Sequence, residues 1–287
     1  MGTQQASAAP ANTGQPGSSC AAAVDRDGTY TAPEPGVTSK GLGQGAPAYY
    51  EIGAPTGPFV GRKPKAIMLV IHPGGWFLVG KEVLAHWARP IADQWRAAGW
   101  QTVDVDYRAC GQSVGDVAWF MQRVRALHPH AVICATGSSA GGHLALLLAS
   151  MRPDLACAIS LAGPSDLLTL AHQGGATVAN YAIAAFGASH DVLARRSPRL
   201  QAAKIRARVL LATGQTDPLV PSAQDPAFAA TLRAARPGAY VDTYSLPPGD
   251  QFFVHTYVTQ ASLDVLRLRE DALVAPLFAR SQTVIHG

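Results

Sequence analysis

Ser139 stands at the centre of the pentapeptide Gly137-Ser138-Ser139-Ala140-Gly141. The apolar run Ala131-Val132-Ile133-Cys134-Ala135 leads into it, and the helix-forming run Leu144-Ala145-Leu146-Leu147-Leu148-Ala149 follows. A serine hydroxyl becomes a useful nucleophile when a neighbouring base removes its proton. In a G-x-S-x-G pattern between a strand and a helix, the serine rides a sharp, strained turn that lifts Oγ above the sheet. Its neighbours two positions away must then be nearly free of side chain. The turn also sets the serine at a helix N-terminus, where unpaired N–H groups and the dipole favour developing negative charge. The flanks matter, because the pentapeptide alone also fits an ordinary glycine-rich turn.

Such a serine needs a base, an acid to orient it and donors for an oxyanion. The chain offers each. The apolar run Ala66–Ile71 is followed by His72-Pro73-Gly74-Gly75-Trp76. Glycines directly after a strand leave approachable backbone N–H groups. Gly74 and Gly75 are therefore candidate oxyanion donors, with the N–H of Ala140 as partner. His72, ahead of the glycines, reads as a brace for the loop. The strand Ala207–Thr213 ends in Gly214-Gln215-Thr216-Asp217-Pro218, which makes Asp217 the candidate acid. Asp166, after the strand Cys157–Ala162, is its rival. The candidate base is His255, after the alternating run Tyr240–Leu246 and the breaker Pro247-Pro248-Gly249. Beyond Asp217 the other histidine is His286, beside the C-terminal glycine. His143, two residues past the elbow glycine, is expected to pack beneath the turn. His86, His128, His130, His172 and His190 receive no role.

The order Ser139, Asp217, His255, each after a strand, resembles that of the α/β-hydrolases. In particular the chain resembles the carboxylesterases related to hormone-sensitive lipase and to bacterial feruloyl or acetyl esterases. Asp106-Tyr107-Arg108 is similar to the "DYR" that ends the fourth strand there, and Asp116-Val117 with Trp119–Val124 is similar to the helix before the elbow strand. His72-Pro73-Gly74-Gly75 resembles the HGGG oxyanion loop, with Pro73 in place of the first glycine at the loss of one N–H. Trp76 and Gly80 resemble the tryptophan and glycine that often follow it. Thr256-Tyr257 departs from the family, which often has glycine and phenylalanine after the histidine. The resemblance covers roughly residues 47–280.

It implies an α/β-hydrolase fold, a mostly parallel central sheet flanked by helices with a small cap drawn from residues 165–195. It implies a serine carboxylic-ester hydrolase that works through an acyl-enzyme on small or aromatic-acid esters, with no cofactor. Trp76 and Phe77 are expected to line the pocket. The alternatives are a peptidase of the same fold and a non-catalytic hydrolase-fold binding protein.

The elements that must position these residues follow from periodicity. Strands are expected near 47–52, 66–71, 100–106, 131–136, 156–162, 207–213 and 239–246, and helices near 83–98, 115–127, 140–151, 223–235 and 259–279. Leu84, Trp87, Ile91 and Trp95 recur at helical spacing and read as core. Residues 46–287 are expected to form one catalytic domain, since no linker interrupts them and 48% of the chain is hydrophobic. Residues 1–45 are rich in Ala, Gly, Pro, Ser, Thr and Gln and read as an extended or disordered arm.

The net charge, 23 − 19 = +4, is spread thinly, so no nucleic-acid partner is expected. The Arg195-Arg196 pair reads as solvated surface. No run approaches the ~18 apolar residues of a membrane span. No C-x-x-C or H-E-x-x-H occurs, so no metal is expected. Of the four cysteines, Cys134 and Cys157 read as buried thiols. A Cys20–Cys110 disulfide would tie the arm to the body in an oxidising compartment. A secreted or periplasmic location is therefore expected, with a cytoplasmic one as the alternative. The partner is expected to be a small-molecule ester, and the oligomeric state is not legible.

Overall fold

The computed structural model describes residues 49–64, 66–78, 84–170 and 176–279. The expected arm at 1–45, with Cys20, lies outside the described residues, as do Gly80, His172 and His286. All seven expected strands form: β1 (Tyr49–Gly53), β2 (Ile67–Ile71), β3 (Gln101–Asp106), β4 (Ile133–Ser138), β5 (Cys157–Leu161), β6 (Arg208–Gly214) and β7 (Val241–Leu246). They join in the order β1-β3-β2-β4-β5-β6-β7. β1 runs antiparallel to β3, and every other pairing is parallel. All five residues of β2 and of β5 are buried, as a sheet covered on both faces requires.

The covering helices are α1 (Arg89–Ala97), α2 (Gln112–Leu127), α3 (Ala140–Met151), α4 (Ala176–Phe186), α5 (His190–Arg195), α6 (Gln224–Ala235) and α7 (Gln260–Ala279). The period of two in β2 sorts the core into two halves. Ile67, Leu69 and Ile71 pack with Val117 of α2, Leu144 of α3 and Phe228 of α6. Met68 and Val70 face the other way, toward Trp95 of α1 and Leu266 and Leu273 of α7. α3 is buried on every side, from Ala140 to Ser150, which explains its all-apolar sequence.

Pro247-Pro248-Gly249 follows the end of β7 at Leu246, as expected, and a hairpin comes next, β8 (Pro248–Phe253) and β9 (Thr256–Val258). It is an edge element with a bulge between Pro248 and Gln251, where a proline is tolerated. Three local expectations are corrected. Trp95 is core, but Trp87 is only half-buried, because it precedes α1 in a wider π turn, Leu84–Ala88. Arg196 is half-buried, with its guanidinium 6.0 Å from the Phe186 ring, and burial lowers its pKa. Cys134 and Cys157 are not thiols. They are register partners on β4 and β5, 4.6 Å apart at Cα, and form a disulfide. Cys110 is disulfide-bonded too, with its partner outside the described residues.

α7 meets α1 through one buried polar contact, in which Gln94 Nε2 donates to Glu270 Oε2 at 2.6 Å. Burial pushes the Glu270 carboxyl up to about 7, against smaller opposing effects of that bond and of Arg267. Between pH 4.5 and 7 the unfolded chain loses a proton that the folded chain retains, so Glu270 makes stability fall as pH rises through this window.

Two predictions follow from these contacts. Glu270→Gln keeps the acceptor and removes the ionisation. Its melting temperature should match the parent's near pH 4.5 and exceed it progressively toward pH 8 in thermal scans. Replacing Cys134 and Cys157 together by alanine should lower unfolding free energy by about 3 kcal/mol in denaturant titrations, the loop-closure contribution expected for their separation.

Candidate active site

Ser139 links β4 to α3 with φ 51° and ψ −122°. This is left-handed backbone that a serine adopts at a cost of about 1–3 kcal/mol. Hydrogen bonds hold it there. Ser139 N–H donates to Leu161 O at 2.8 Å on β5, and His143 N–H donates to Ser139 O at 3.0 Å, the first bond of α3. The flanking glycines have the expected steric reason. A Cβ at Gly141 would stand 2.1 Å from Ile71 O and 2.6 Å from His72 O, and one at Gly137 would meet Gly141 O and Ile71 O at 2.6 Å. The turn therefore rests directly on the backbone that ends β2. Ser139 is 7% exposed, so it sits recessed in the surface.

The loop after β2 is consequently held beside the serine. Gly74 has φ 123° and Gly75 φ 59°, both conformations that suit glycine. Among the described residues no backbone hydrogen bond uses the N–H of Gly74 or Gly75. Ala140 is the first residue of α3, where N–H groups lack intrahelical partners. His72 braces the loop, as expected. Its ring is fully buried, stacks on Tyr107 at 4.1 Å, faces Asp106 Oδ1 at 3.1 Å through Nε2 and bonds the Pro73 carbonyl through Nδ1. Tyr107 Oη donates back to His72 O at 3.3 Å. Burial, and then the charge of Asp106, raise the Tyr107 pKa well above its ordinary value, so the phenol stays a donor.

Trp76 departs from expectation. It is completely buried, and its Nε1–H donates to His143 Nδ1 at 3.1 Å. It therefore anchors the loop to the core and does not line a pocket. His143 lies beneath the turn, as expected, and donates through Nε2 to Arg196 O at 2.6 Å. Burial lowers its pKa to about 4, so the ring is neutral with the tautomer that serves both bonds. Phe77 is half-buried, with its ring 6.1 Å from that of Tyr181 on α4.

The structure pairs Asp217 with His255, 38 residues apart in sequence. His255 Nδ1–H donates to Asp217 Oδ2 at 2.9 Å. Asp217 Oδ1 accepts from the backbone N–H groups of Leu219 and Val220 at 2.8 and 2.9 Å. His255 sits at the tip of the β8–β9 hairpin after Val254, whose φ of 53° is unusual for a β-branched residue. Thr256 fixes the hairpin to the sheet through Thr216 at 2.8 Å and through the space that Gly214 leaves open. Asp166 is otherwise engaged. Its Oδ1 accepts from Leu168 and Thr169 N–H, and its Oδ2 meets Arg199 at 3.0 Å.

Ser139 follows β4 and Asp217 follows β6, with β5 between, so two strand spacings, roughly 10 Å, separate their strands. An imidazole with a hydrogen bond at each nitrogen fits such a gap. Ser139 Oγ makes no hydrogen bond to His255 in this structure. Such bonds are often long before substrate binds. Sequence reasoning missed Asp225, in the first turn of α6 behind Asp217. Burial, and then the Asp217 charge, push its carboxyl up to about 7. An aspartate at a helix start is ordinary, so nothing in the sequence marked it.

A mostly parallel sheet with an elbow serine and an Asp–His pair along one edge defines an α/β-hydrolase. The chain belongs to the BD-FAE family, an α/β-hydrolase esterase family whose model matches residues 57–232. No curated protein sequence matches the chain significantly. Among solved structures, a truncated carbohydrate esterase from gut microbiota superposes with a TM-score of 0.64 at 18% identity, over 85% of this chain and 97% of that one. An acetyl ester-xyloside bifunctional hydrolase from Caldicellulosiruptor lactoaceticus gives 0.57 at 16%, over 83% and 88%. A puromycin-hydrolyzing peptidase of Mycobacterium tuberculosis gives 0.61 at 21%, over 80% of this chain. The chain spans only 37% of that peptidase. These likenesses show the fold.

Gly141→Ala drives a methyl into the carbonyls that end β2. It should cost about 3 kcal/mol or more, the upper end of overpacking penalties, in chemical denaturation.

Proposed function

We propose that the protein is a serine carboxylic-ester hydrolase that acts through an acyl-enzyme on small or aromatic-acid esters. The observation that carries this is the bond between His255 Nδ1 and Asp217 Oδ2, beside the strained elbow at Ser139. With Nδ1 donating to a carboxylate, the lone pair of Nε2 is free to act as base. His255 takes the Ser139 proton as Oγ attacks the ester carbonyl. The N–H groups of Gly74, Gly75 and Ala140 hold the oxyanion. His255 then protonates the leaving alcohol, and water, activated by the same ring, releases the acid. Phe77 flanks the acyl group.

Amide cleavage would use the same groups, so a peptidase is the second reading. The peptidase neighbours are much longer chains, whereas the carbohydrate esterase is matched over nearly its whole length. That contrast favours an ester, with a carbohydrate as the alcohol. The bonded cysteines support an oxidising compartment. No described helix is long and apolar enough to cross a membrane.

Ser139→Ala and His255→Ala should each lower kcat on a nitrophenyl ester by ~10³-fold or more, as members of one unit fail together. Asp217→Asn should lose far more activity than Asp166→Asn on the same substrate. Retention of the parental rate by either alanine variant, or the reverse ranking of the two aspartates, would overturn the assignment.

A further inference from the structure

Along the hairpin that carries His255 lies a group of rings that the catalytic scheme does not use. Phe252 and Tyr257 are direct cross-strand partners, one pair removed from the Phe253–Thr256 pair that adjoins the His255 turn. Phe253 and Thr256 point into the body, so the alternation of the strands turns Phe252 and Tyr257 outward, where they are 54% and 57% exposed. Their ring centroids are 5.7 Å apart, and Trp87 extends the row, with its ring 6.0 Å from that of Phe252. Asp250, two residues before Phe252, is also exposed, and Gln251 Nε2 donates to its carboxylate at 3.2 Å.

We propose that Trp87, Phe252 and Tyr257, with Asp250, form a ledge that binds the sugar ring of the leaving alcohol. This rests on the reading of an ester hydrolase with a carbohydrate alcohol, to which it adds the residues that select that alcohol. Position gives the side of the ester. His255 must reach the leaving oxygen, so a surface built on the same hairpin meets the alcohol. The acyl group points instead toward Phe77 and Tyr181. Chemistry gives the class. Flat exposed rings pack against the C–H face of a pyranose. The exposed Asp250 carboxylate, two residues before Phe252, can accept hydroxyl hydrogen bonds, while it repels a carboxylate ligand and offers nothing to an alkyl chain. The open ledge also differs from the enclosed apolar groove that a long acyl chain requires.

Three esters separate the outcomes: acetylated xylotriose, ethyl acetate and methyl ferulate. Phe252→Ala, Tyr257→Ala and Trp87→Ala should each raise KM for acetylated xylotriose about three- to tenfold, the loss of one ring contact, with kcat unchanged. Ethyl acetate and methyl ferulate should be hydrolysed as by the parent. A second measurement needs no turnover. Xylotriose titrated into the Ser139→Ala protein should change its tryptophan fluorescence, and Trp87→Phe in that background should abolish the change. An unchanged KM for the sugar ester, an equal rise for ethyl acetate, or a rise for methyl ferulate alone would overturn the ledge. A parent that cleaves no ester, but binds xylotriose in a way that Phe252→Ala abolishes, would overturn the hydrolase reading and leave the sugar site standing.

Discussion

The contact between the elbow glycines and the end of β2 governs the arrangement of the site. Gly141 approaches the carbonyls of Ile71 and His72 more closely than any side chain allows, and Gly137 does the same from the other end of the turn. That approach brings two pieces of chain, distant in sequence, to one place: the serine turn on β4 and the glycine loop on β2. The strained backbone at Ser139 persists because β5 and α3 both hydrogen-bond it. Strain of this kind survives where surrounding structure over-determines it. Trp76, Ala162 and Val254 also have positive φ, and each flanks the same edge of the sheet.

Two buried histidines hold the frame without taking part in the chemistry. His72 ties the glycine loop to Asp106 and Tyr107 at the end of β3. His143 ties Trp76 of that loop to the Arg196 carbonyl beyond α5, across the N-terminus of α3. Both ring nitrogens of each histidine have a partner, which makes such networks specify one arrangement. Burial works against charge in both directions. It keeps His143 neutral by lowering its pKa to about 4, and it favours protonated Asp225 and Glu270 by raising theirs to about 7. The first makes stability rise with pH between 4 and 6.5, and the other two make it fall toward 7.

The hairpin after β7 departs most from the resemblance and contributes most that is particular to this chain. Here Thr256 binds it to Thr216, and Gly214 leaves room for the Thr256 methyl. The inner face of the hairpin is thus committed to the sheet, and the outer face is left with two exposed rings near His255.

The sequence by itself determined the middle of the sheet, because strands buried on both faces read as continuous apolar runs, as β2, β5 and β6 do, while β7 was legible from its alternation. It also determined the elbow and the glycine loop, because only glycine tolerates those approaches and torsions. The sequence alone did not separate the surroundings of Asp217 from those of Asp166. Both aspartates follow strands, and what separates them is that Arg199 faces one and His255 the other. The Cys134–Cys157 bond depended on strand register, which places the two residues opposite each other on neighbouring strands. The burial of Trp76 depended on where His143 stood. The ring ledge depended on a hairpin that prolines concealed. Periodicity records which faces of an element are buried, but not which partner lies across them, and the corrections at Cys134, Cys157 and Trp76 each concern a partner.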